Sequence, residues 1–377
     1  MNKLVVVSAA PLILKNEKYF LYSPYEKEMQ LWAKHSDAIQ FCCPVWTADK
    51  SLLIAPVSFP TLNPIVLEDF DTTYASSIIK AIPFVFINTF RIYKAMAQAD
   101  HIHLRCPGNM SLLGTLVQIA FPKKKKTAKY AGNWDPKSIQ PWSYRLQKWI
   151  VSNTFLTKNM QALVYGEWPN QTKNIKPFFT ATYSQQESKD LEFRSKKPEL
   201  KDEIKCLFVG TLSKGKQPIY AIQLVEKLSK LGKKVSLDVY GEGILRNEIE
   251  AYIKTHELTD IVTLKGNQTK ENIKEAYQKS HFLILPSKSE GWPKSVAEAM
   301  FWGCVPVVTP VSCVPYMLDA GKRGLLLTEE IQKDTNALEE LIGNPTDYQL
   351  KSKAAQQWSQ HYTTDLFEEE LKKLLGV

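Results

Sequence analysis

The chain has 377 residues, which is too many for one ordinary core and enough for two α/β domains of middling size. Hydrophobic residues at 44% and charged residues at 23% exclude extensive disorder and match a compact globular protein. Lys and Arg number 48 against 39 Asp and Glu; the resulting +9 suits anionic ligands or an acidic membrane surface, and no basic helix, zinc finger or stacking platform accompanies it to point to nucleic acid.

Short β-rich apolar runs alternate with longer amphipathic stretches from end to end, the pattern of parallel sheets covered by helices, so the expected class is α/β with Rossmann-like halves. The opening run carries one Lys and meets Pro11 before a signal-peptide core can form, so it reads as a first strand, Leu4 to Ser8. Further strands are expected at Ala38 to Cys42, His101 to Leu104, Thr127 to Tyr130 and Ala162 to Tyr165. Helices are expected between them at Ser76 to Gln98, Met110 to Phe121 and Trp142 to Thr154.

From Pro169 to Glu203 the periodicity fades into a polar, Lys-rich stretch that reads as a linker, broken by the apolar patch at Phe178 and Phe179. A second alternating series follows. Its strands are Ile204 to Val209, Val235 to Tyr240, Val262 to Lys265, Phe282 to Leu285 and Val305 to Thr309. Its helices are Ile219 to Leu231, Arg246 to His256, Lys270 to Ser280 and one from Lys294, and Asp347 to Leu375 reads as two more, meeting near His361. No run of about 18 apolar residues predicts a spanning helix. Cys42, Cys43, Cys106, Cys206, Cys304 and Cys313 form no C-x-x-C pair and read as free thiols of a reducing, cytoplasmic compartment.

The passage that carries chemistry runs from Leu285 through Ser289-Glu290-Gly291-Trp292-Pro293-Lys294-Ser295 to Glu298-Ala299-Met300, and on through Gly303-Cys304-Val305-Pro306-Val307-Val308-Thr309. A strand ends, a loop follows, and a helix opens with Pro293 near its first position. Ligands of open α/β sheets bind beyond the carboxyl ends of the strands, where a helix N-terminus offers N–H groups to anions. Taken alone, Glu290 reads as a solvated loop charge and Glu298 as a stabilising first-turn acid. As a pair they can accept hydroxyl hydrogen bonds from separate parts of one extended ligand.

The whole string resembles the E-x7-E signature of family 4 retaining glycosyltransferases of GT-B fold. Phe208-Val209-Gly210-Thr211-Leu212-Ser213-Lys214-Gly215-Lys216 looks like that family's strand and phosphate-binding loop, Tyr240-Gly241-Glu242-Gly243 like its Gly-x-Gly turn, and Val262 to Gly266 like the segment near the nucleobase. The resemblance implies two facing Rossmann-like domains with a cleft between them: 1–178 on the acceptor side, 179–357 binding the donor, and 358–377 returning to the first domain. It implies Lys216 on the donor diphosphate, Glu290 orienting the sugar and Glu298 the ribose, with Gly210, Thr211, Gly241, Gly291, Trp292, Pro293, Lys294 and Ser295 lining the donor. Thr211 stands where the family often has Arg, which leaves Lys214 and Arg105 as candidates for a second cation. In the N-terminal half Ser8-Ala9-Ala10-Pro11 replaces the family's glycine-rich loop.

At the end of the strand carrying His101, His103 and Arg105, alternation puts Arg105 nearest the cleft and makes it a candidate for the chemistry. Asn133 and Trp134 are acceptor-side candidates, Trp134 either stacking on a sugar face or anchoring its loop. Asp69-Phe70-Asp71 spells the D-x-D of metal-dependent enzymes but reads as a solvated loop, so no metal and no cofactor beyond a nucleotide diphosphate sugar is expected. Lys123 to Lys126, with the apolar helix around Ile82, Phe86 and Phe90, raises peripheral contact with an anionic inner-membrane face. The expected activity is transfer of a hexosyl-type sugar, with retention, to a glycan or lipid-linked acceptor in surface polysaccharide biosynthesis. The alternatives are a catalytically silent nucleotide-sugar or glycan-binding protein and a sugar-nucleotide epimerase on the same scaffold.

Overall fold

The computed structural model describes residues 2–48, 53–70, 75–189, 200 and 203–376. Its contacts divide the chain into two compact units, Met1–Phe178 with Glu368–Val377, and Phe179–Phe367.

The first unit contains β1 (Lys3–Ser8), β2 (Leu12–Lys15), β3 (Lys18–Tyr22), α1 (Ser23–Ala33), β4 (Ala38–Cys43), β5 (Val45–Trp46), β6 (Ile54–Pro56), β7 (Ile65–Val66) and α2 (Ala75–Ala97). It continues with β8 (His101–Cys106), α3 (Asn109–Val117), β9 (Lys125–Tyr130), α4 (Trp142–Ser152), β10 (Met160–Tyr165) and β11 (Ile175–Phe178). A seven-stranded parallel sheet runs in the order β11-β10-β9-β8-β1-β4-β7. Leu4 to Val7 are fully buried, as a continuous apolar run must be in a strand covered on both faces.

The small sheet β5-β2-β3-β6 and α1 were not legible in the sequence. Lys15 pairs with Lys18 across a two-residue turn whose residues, Asn16 and Glu17, both have positive φ. Glu17 occupies a position that usually announces itself with glycine. The stretch expected as a linker, Pro169 to Glu203, also departs from its reading: Ile175–Phe178 adds a strand to the sheet, and Phe179 and Tyr183 are buried in the second unit. Residues 190–199, 201 and 202 of that stretch lie outside the described residues.

The lysine run has a structural use. Lys124 Nζ donates to the carbonyls of Ala97 and Ala99 (2.8 and 2.5 Å), closing the C-terminus of α2. Lys126 Nζ reaches the carbonyls of Phe121 and Gln118 (3.0 and 3.4 Å) at the 3-10 turn that ends α3, and Lys125 Nζ reaches Leu375 O (3.4 Å). Each ammonium meets the negative end of a helix dipole. Burial pulls the Lys126 ammonium down to about 8.

The second unit contains β12 (Ile204–Val209), α5 (Pro218–Lys230), β13 (Val235–Tyr240), α6 (Arg246–Thr255), β14 (Val262–Gly266), α7 (Lys270–Lys279), β15 (Phe282–Leu285) and α8 (Lys294–Phe301). It continues with β16 (Val305–Val308), α9 (Val314–Met317), β17 (Leu325–Leu326), α10 (Ile331–Gly343), α11 (Pro345–Ser359) and α12 (Thr364–Leu375), the last crossing the division at Phe367. The segment expected to return as one piece, 358–377, is therefore split, with Trp358 to Phe367 kept in the second unit by the packing of Phe179 against Tyr362 and Phe367. The sheet is parallel throughout, in the order β14-β13-β12-β15-β16-β17.

Glu226 on α5 ties this unit's outer layer together. Its carboxylate accepts from Lys230 Nζ (2.5 Å) and Tyr252 OH (2.7 Å) and pairs with His256 Nδ1 (3.0 Å). Burial alone would raise its pKa; the bonds from Lys230, Tyr252 and His256 outweigh burial and hold it at about 2. A carboxyl held below its unfolded value stabilises the fold above the ordinary carboxylate range, and that stabilisation drains away as pH falls toward 2. Glu226→Gln is expected to remove on the order of 2 kcal/mol at neutral pH. It should also flatten the dependence of Tm on pH between about 5 and 2; a variant that melts in parallel with the parent across that range refutes the assignment.

Candidate active site

In the second sheet the strand order reverses between β12 and β15, the first leading outward through β13 and β14 and the second through β16 and β17. Loops leaving two adjacent strands at such a point diverge and open a crevice beyond their carboxyl ends. Lys216 comes from the loop after β12 and Glu290 from the loop after β15. The two side chains form an ion pair there, with the Glu290 carboxylate only 8% exposed and the Lys216 side chain 28%.

The Glu290 loop is braced on several sides. Gln217 Nε2 donates to Pro286 O (2.6 Å) and to Glu329 (2.8 Å), Lys288 N donates to Gly215 O (2.8 Å), and the Thr309 hydroxyl binds Ser287 O. Gly291 O accepts from Ser312 Oγ (3.2 Å) and Cys313 Sγ (3.1 Å). Pro293 is the N-cap of α8, one residue before the first helical position, and Lys294 and Ser295 form the opening of the helix.

Glu298 lies in the second turn of α8. Its carboxylate accepts from Thr182 Oγ1 (2.7 Å) and Tyr277 OH (3.3 Å). Burial raises its pKa above the ordinary glutamate value, against the opposing pull of Thr182, Lys294, Tyr277 and Lys270. Thr182 and Tyr277 are the partners that sequence reasoning missed: the first lies in the stretch read as a linker, and the second is one buried position of a helix with no motif around it.

The loops after β12 and β13 are locked together. Gly210 N donates to Tyr240 O (3.0 Å), Leu212 N to Glu242 O (3.0 Å) and Leu245 N to Leu212 O (3.1 Å). Gly241 has φ +129°, and a Cβ there would overlap the Gly210 carbonyl oxygen. Gly210 itself is roomier, its nearest neighbour 3.6 Å from an added Cβ. Thr211 and Lys214 are exposed on this loop.

Other expected residues take structural places. Trp292 is buried, its ring stacked near Trp358 (6.1 Å) and edge-on to Tyr362 (5.8 Å), so it shapes the Glu290 loop from behind and offers no open face to a ligand. Trp134 is buried against Tyr130 (4.9 Å) and donates its indole N–H to Gln171 (3.0 Å), the contacts of a loop anchor. Asn133 Oδ1 accepts from Asp135 N (2.9 Å), closing the same turn. Arg105, a candidate for the chemistry, has its charge answered within the first unit: its guanidinium lies 4.1 Å over the Tyr25 ring and 3.7 Å from Glu28, which also takes buried Lys129 at 2.9 Å. His101 and His103 are core residues sharing Thr127 Oγ1 (3.0 and 2.8 Å), and burial lowers them to about 4 and about 3. Asp69 accepts from Trp46 (3.0 Å), whereas Asp71 lies outside the described residues. Among the described residues no cluster of three His, Cys, Asp or Glu can hold a metal ion, and no disulfide joins the six buried cysteines.

Residues 189–359 match the family described as glycosyl transferases group 1. A glycosyltransferase assigned to colanic acid biosynthesis, WcaL of Salmonella typhimurium, is 27% identical over 133 residues, 33% of this chain and 32% of that one. The alpha-D-kanosaminyltransferase of Streptomyces kanamyceticus is 24% identical over 164 residues, 42% of each chain. The chain spans between about a third and just under half the length of the curated relatives it matches. Among solved structures, Anabaena HepE in complex with UDP superposes with TM-score 0.67 at 13% identity over 100% of both chains. Sucrose-phosphate synthase from Thermosynechococcus elongatus does so with TM-score 0.64 at 15% identity over 99% of this chain and 98% of that one. The chain has the GT-B fold, two Rossmann-like units.

The glycine lock gives a contrast to measure. Gly241→Ala is expected to lower unfolding free energy by about 2–4 kcal/mol through backbone strain and overlap, and Gly210→Ala by less than about 1 kcal/mol. Urea denaturation of the two variants checks this, and equal losses would show that the close approach is not what fixes these loops.

Proposed function

We propose that the protein is a retaining, metal-independent glycosyltransferase of the family 4 type, moving a hexosyl group from a nucleotide diphosphate sugar to a glycan or lipid-linked acceptor in surface polysaccharide biosynthesis. The observation that carries this reading is the pairing of Lys216 with Glu290 at the switch point of the second sheet, with Glu298 on the helix that opens there. The family match over 189–359 and the colanic acid relative support the reaction and the setting. The Anabaena HepE structure with UDP and glucose and the Staphylococcus aureus TarM structure with UDP and alpha-GlcNAc-glycerol support a nucleotide-sugar donor and a glycan-type acceptor.

In this reading the donor diphosphate takes the Lys216 ammonium from Glu290, and Glu290 turns to the sugar hydroxyls. The α8 N-terminus, at Lys294 and Ser295, adds oriented N–H groups to the same negative charge. Glu298 accepts the ribose hydroxyls, steadied by Thr182 and Tyr277. The acceptor attacks from the face the diphosphate leaves, and a phosphate oxygen receives its proton. The protein's task is to stabilise the departing charge and align two substrates. Lys214 is the second cation, since it shares the Lys216 loop and is exposed there, whereas Arg105 is engaged by Glu28. The chain acts on the cytoplasmic side, where nucleotide sugars are made.

Lys216→Ala and Glu290→Ala are each expected to lower turnover at least about 10²-fold while the chain still folds, with Tm lowered because the remaining charge loses its partner. Product analysis by mass spectrometry separates transfer from donor binding alone: near-normal formation of the new glycosidic bond in both variants contradicts the site, and its absence in the parent protein across a panel of donors and acceptors contradicts the activity.

Because Glu298 titrates above the ordinary glutamate range, the parent should lose donor affinity on mild acidification, as the carboxylate that accepts the ribose hydroxyls is protonated. Glu298→Gln should bind more weakly at neutral pH and show no such acid limb. Calorimetric titration with nucleotide diphosphates over a pH series checks this, and an identical acid limb in the variant would assign the titration elsewhere.

A further inference from the structure

The helix α2 is apolar on two sides. Its inward side buries Ala81, Ile92, Ala95 and Met96 against the sheet of the first unit. Its outward side carries Ile79, Ile82, Phe86, Phe90 and Tyr93, spaced three to four residues apart along one stripe, and all are exposed, Phe86 at 72% and Phe90 at 59%. A helix apolar all round belongs in a protein interior or against lipid, and protein covers α2 on one side.

The stripe has neighbours. Helices α2, α3 and α4 pack side by side, α3 adding exposed Leu116 and α4 exposed Trp142 and Trp149, the latter at 60%. Soluble monomers seldom leave so broad an apolar area open.

The charge around it is predominantly of one sign, Glu68 beside Arg91 of α2 (2.8 Å) being the exception. Residues 72–166 hold thirteen Lys and Arg against two acids, Asp100 and Asp135, so this stretch alone exceeds the net charge of the whole chain, +9. Helices α2, α3 and α4 contain no acidic residue. Lys80, Lys94, Arg145 and Lys158 are exposed, Lys94 Nζ standing 4.5 Å from the Phe90 ring and Lys158 Nζ 5.3 Å from the Phe155 ring. Rings paired with flexible cations suit an interface in which aromatics enter the acyl boundary and ammonium groups stay at the headgroups.

We propose that the outward face of the α2–α3–α4 layer docks this protein on an anionic lipid bilayer. The protein lies on the membrane and does not cross it through these helices: no helix among the described residues is long and apolar enough to span. The same-sign charge disfavours a second copy of the chain as occupant, because two basic rims would oppose each other.

The test is flotation of the full chain with vesicles of phosphatidylglycerol and phosphatidylethanolamine, against vesicles of phosphatidylcholine alone. The protein is expected to float with the anionic vesicles, to be released by high salt, and to stay behind with the zwitterionic ones. The double variants Phe86→Ser/Phe90→Ser and Lys80→Glu/Lys94→Glu should each reduce the bound fraction at least about tenfold with unchanged Tm, since every altered side chain is exposed. Failure of the parent chain to float overturns the proposal, as does equal flotation of parent and both variants. Sedimentation analysis supplies the remaining arm: a parent dimer that Phe86→Ser/Phe90→Ser converts to monomer, with no vesicle binding, makes the face a contact between copies and also overturns it.

Discussion

A single ammonium–carboxylate pair, Lys216 with Glu290, is the constraint around which the second unit is organised. Each partner hangs from a loop that leaves the sheet in a different direction, and because β12 and β15 are neighbouring strands the two side chains meet where those loops diverge. A largely desolvated charge pair of this kind contributes little net stability, because removing both charges from water offsets most of their attraction. Its worth lies elsewhere. Each charge keeps the other satisfied, so the crevice holds a cation and an anion without leaving either uncompensated.

Everything adjacent serves to keep that pair in place. Gln217 follows Lys216 directly and binds the first carbonyl of the Glu290 loop, so the two loops move as one piece. Trp292 fills the space behind the loop, and the close approach of Gly241 to Gly210 fixes the neighbouring turn. Such bracing matters for electrostatic catalysis because donors already aimed at developing charge need no reorganisation when it appears. The α11 helix extends the same support: Ser359 Oγ binds Ala297 O (2.6 Å) and Gln360 Nε2 binds Phe301 O (3.1 Å), holding α8 from its far side.

Most parallel strands of both units were legible because buried strands covered on two faces read as unbroken apolar runs, as in Val305–Val308, and so were α5 to α8, α11 and α12; the short strands β7 and β17 and the helices α9 and α10 were not. The β2–β3 hairpin was not, since a positive-φ turn made of Asn16 and Glu17 lacks the glycine that usually marks it. Nor was β11, whose four residues include Lys176 and Pro177 and whose pairing with β10 is a matter of tertiary packing. At the site, the spacing of Glu290 and Glu298 could be read from sequence because it follows from one loop and one short helix, whereas Lys216, on the loop after β12, was placed by the family resemblance. The hold of Thr182 and Tyr277 on Glu298 could not be read, because it is tertiary: Thr182 lies 116 residues away in the chain and Tyr277 on the preceding helix. Nor could the sequence show how Trp134 and Arg105 are held, the indole by Gln171 and the guanidinium over the Tyr25 ring and beside Glu28.

The four consecutive lysines at 123–126 look, in sequence, like disposable surface decoration. Lys124, Lys125 and Lys126 each secure the end of a different helical segment, two of them, α2 and α3, consecutive and the third, α12, from the far end of the chain. Surface engineering by residue type alone would select this cluster for alanine replacement to lower side-chain entropy before crystallisation. Here that choice would unfasten three helix ends at once, so a rational trimming of the surface begins with Lys123 and leaves its neighbours intact.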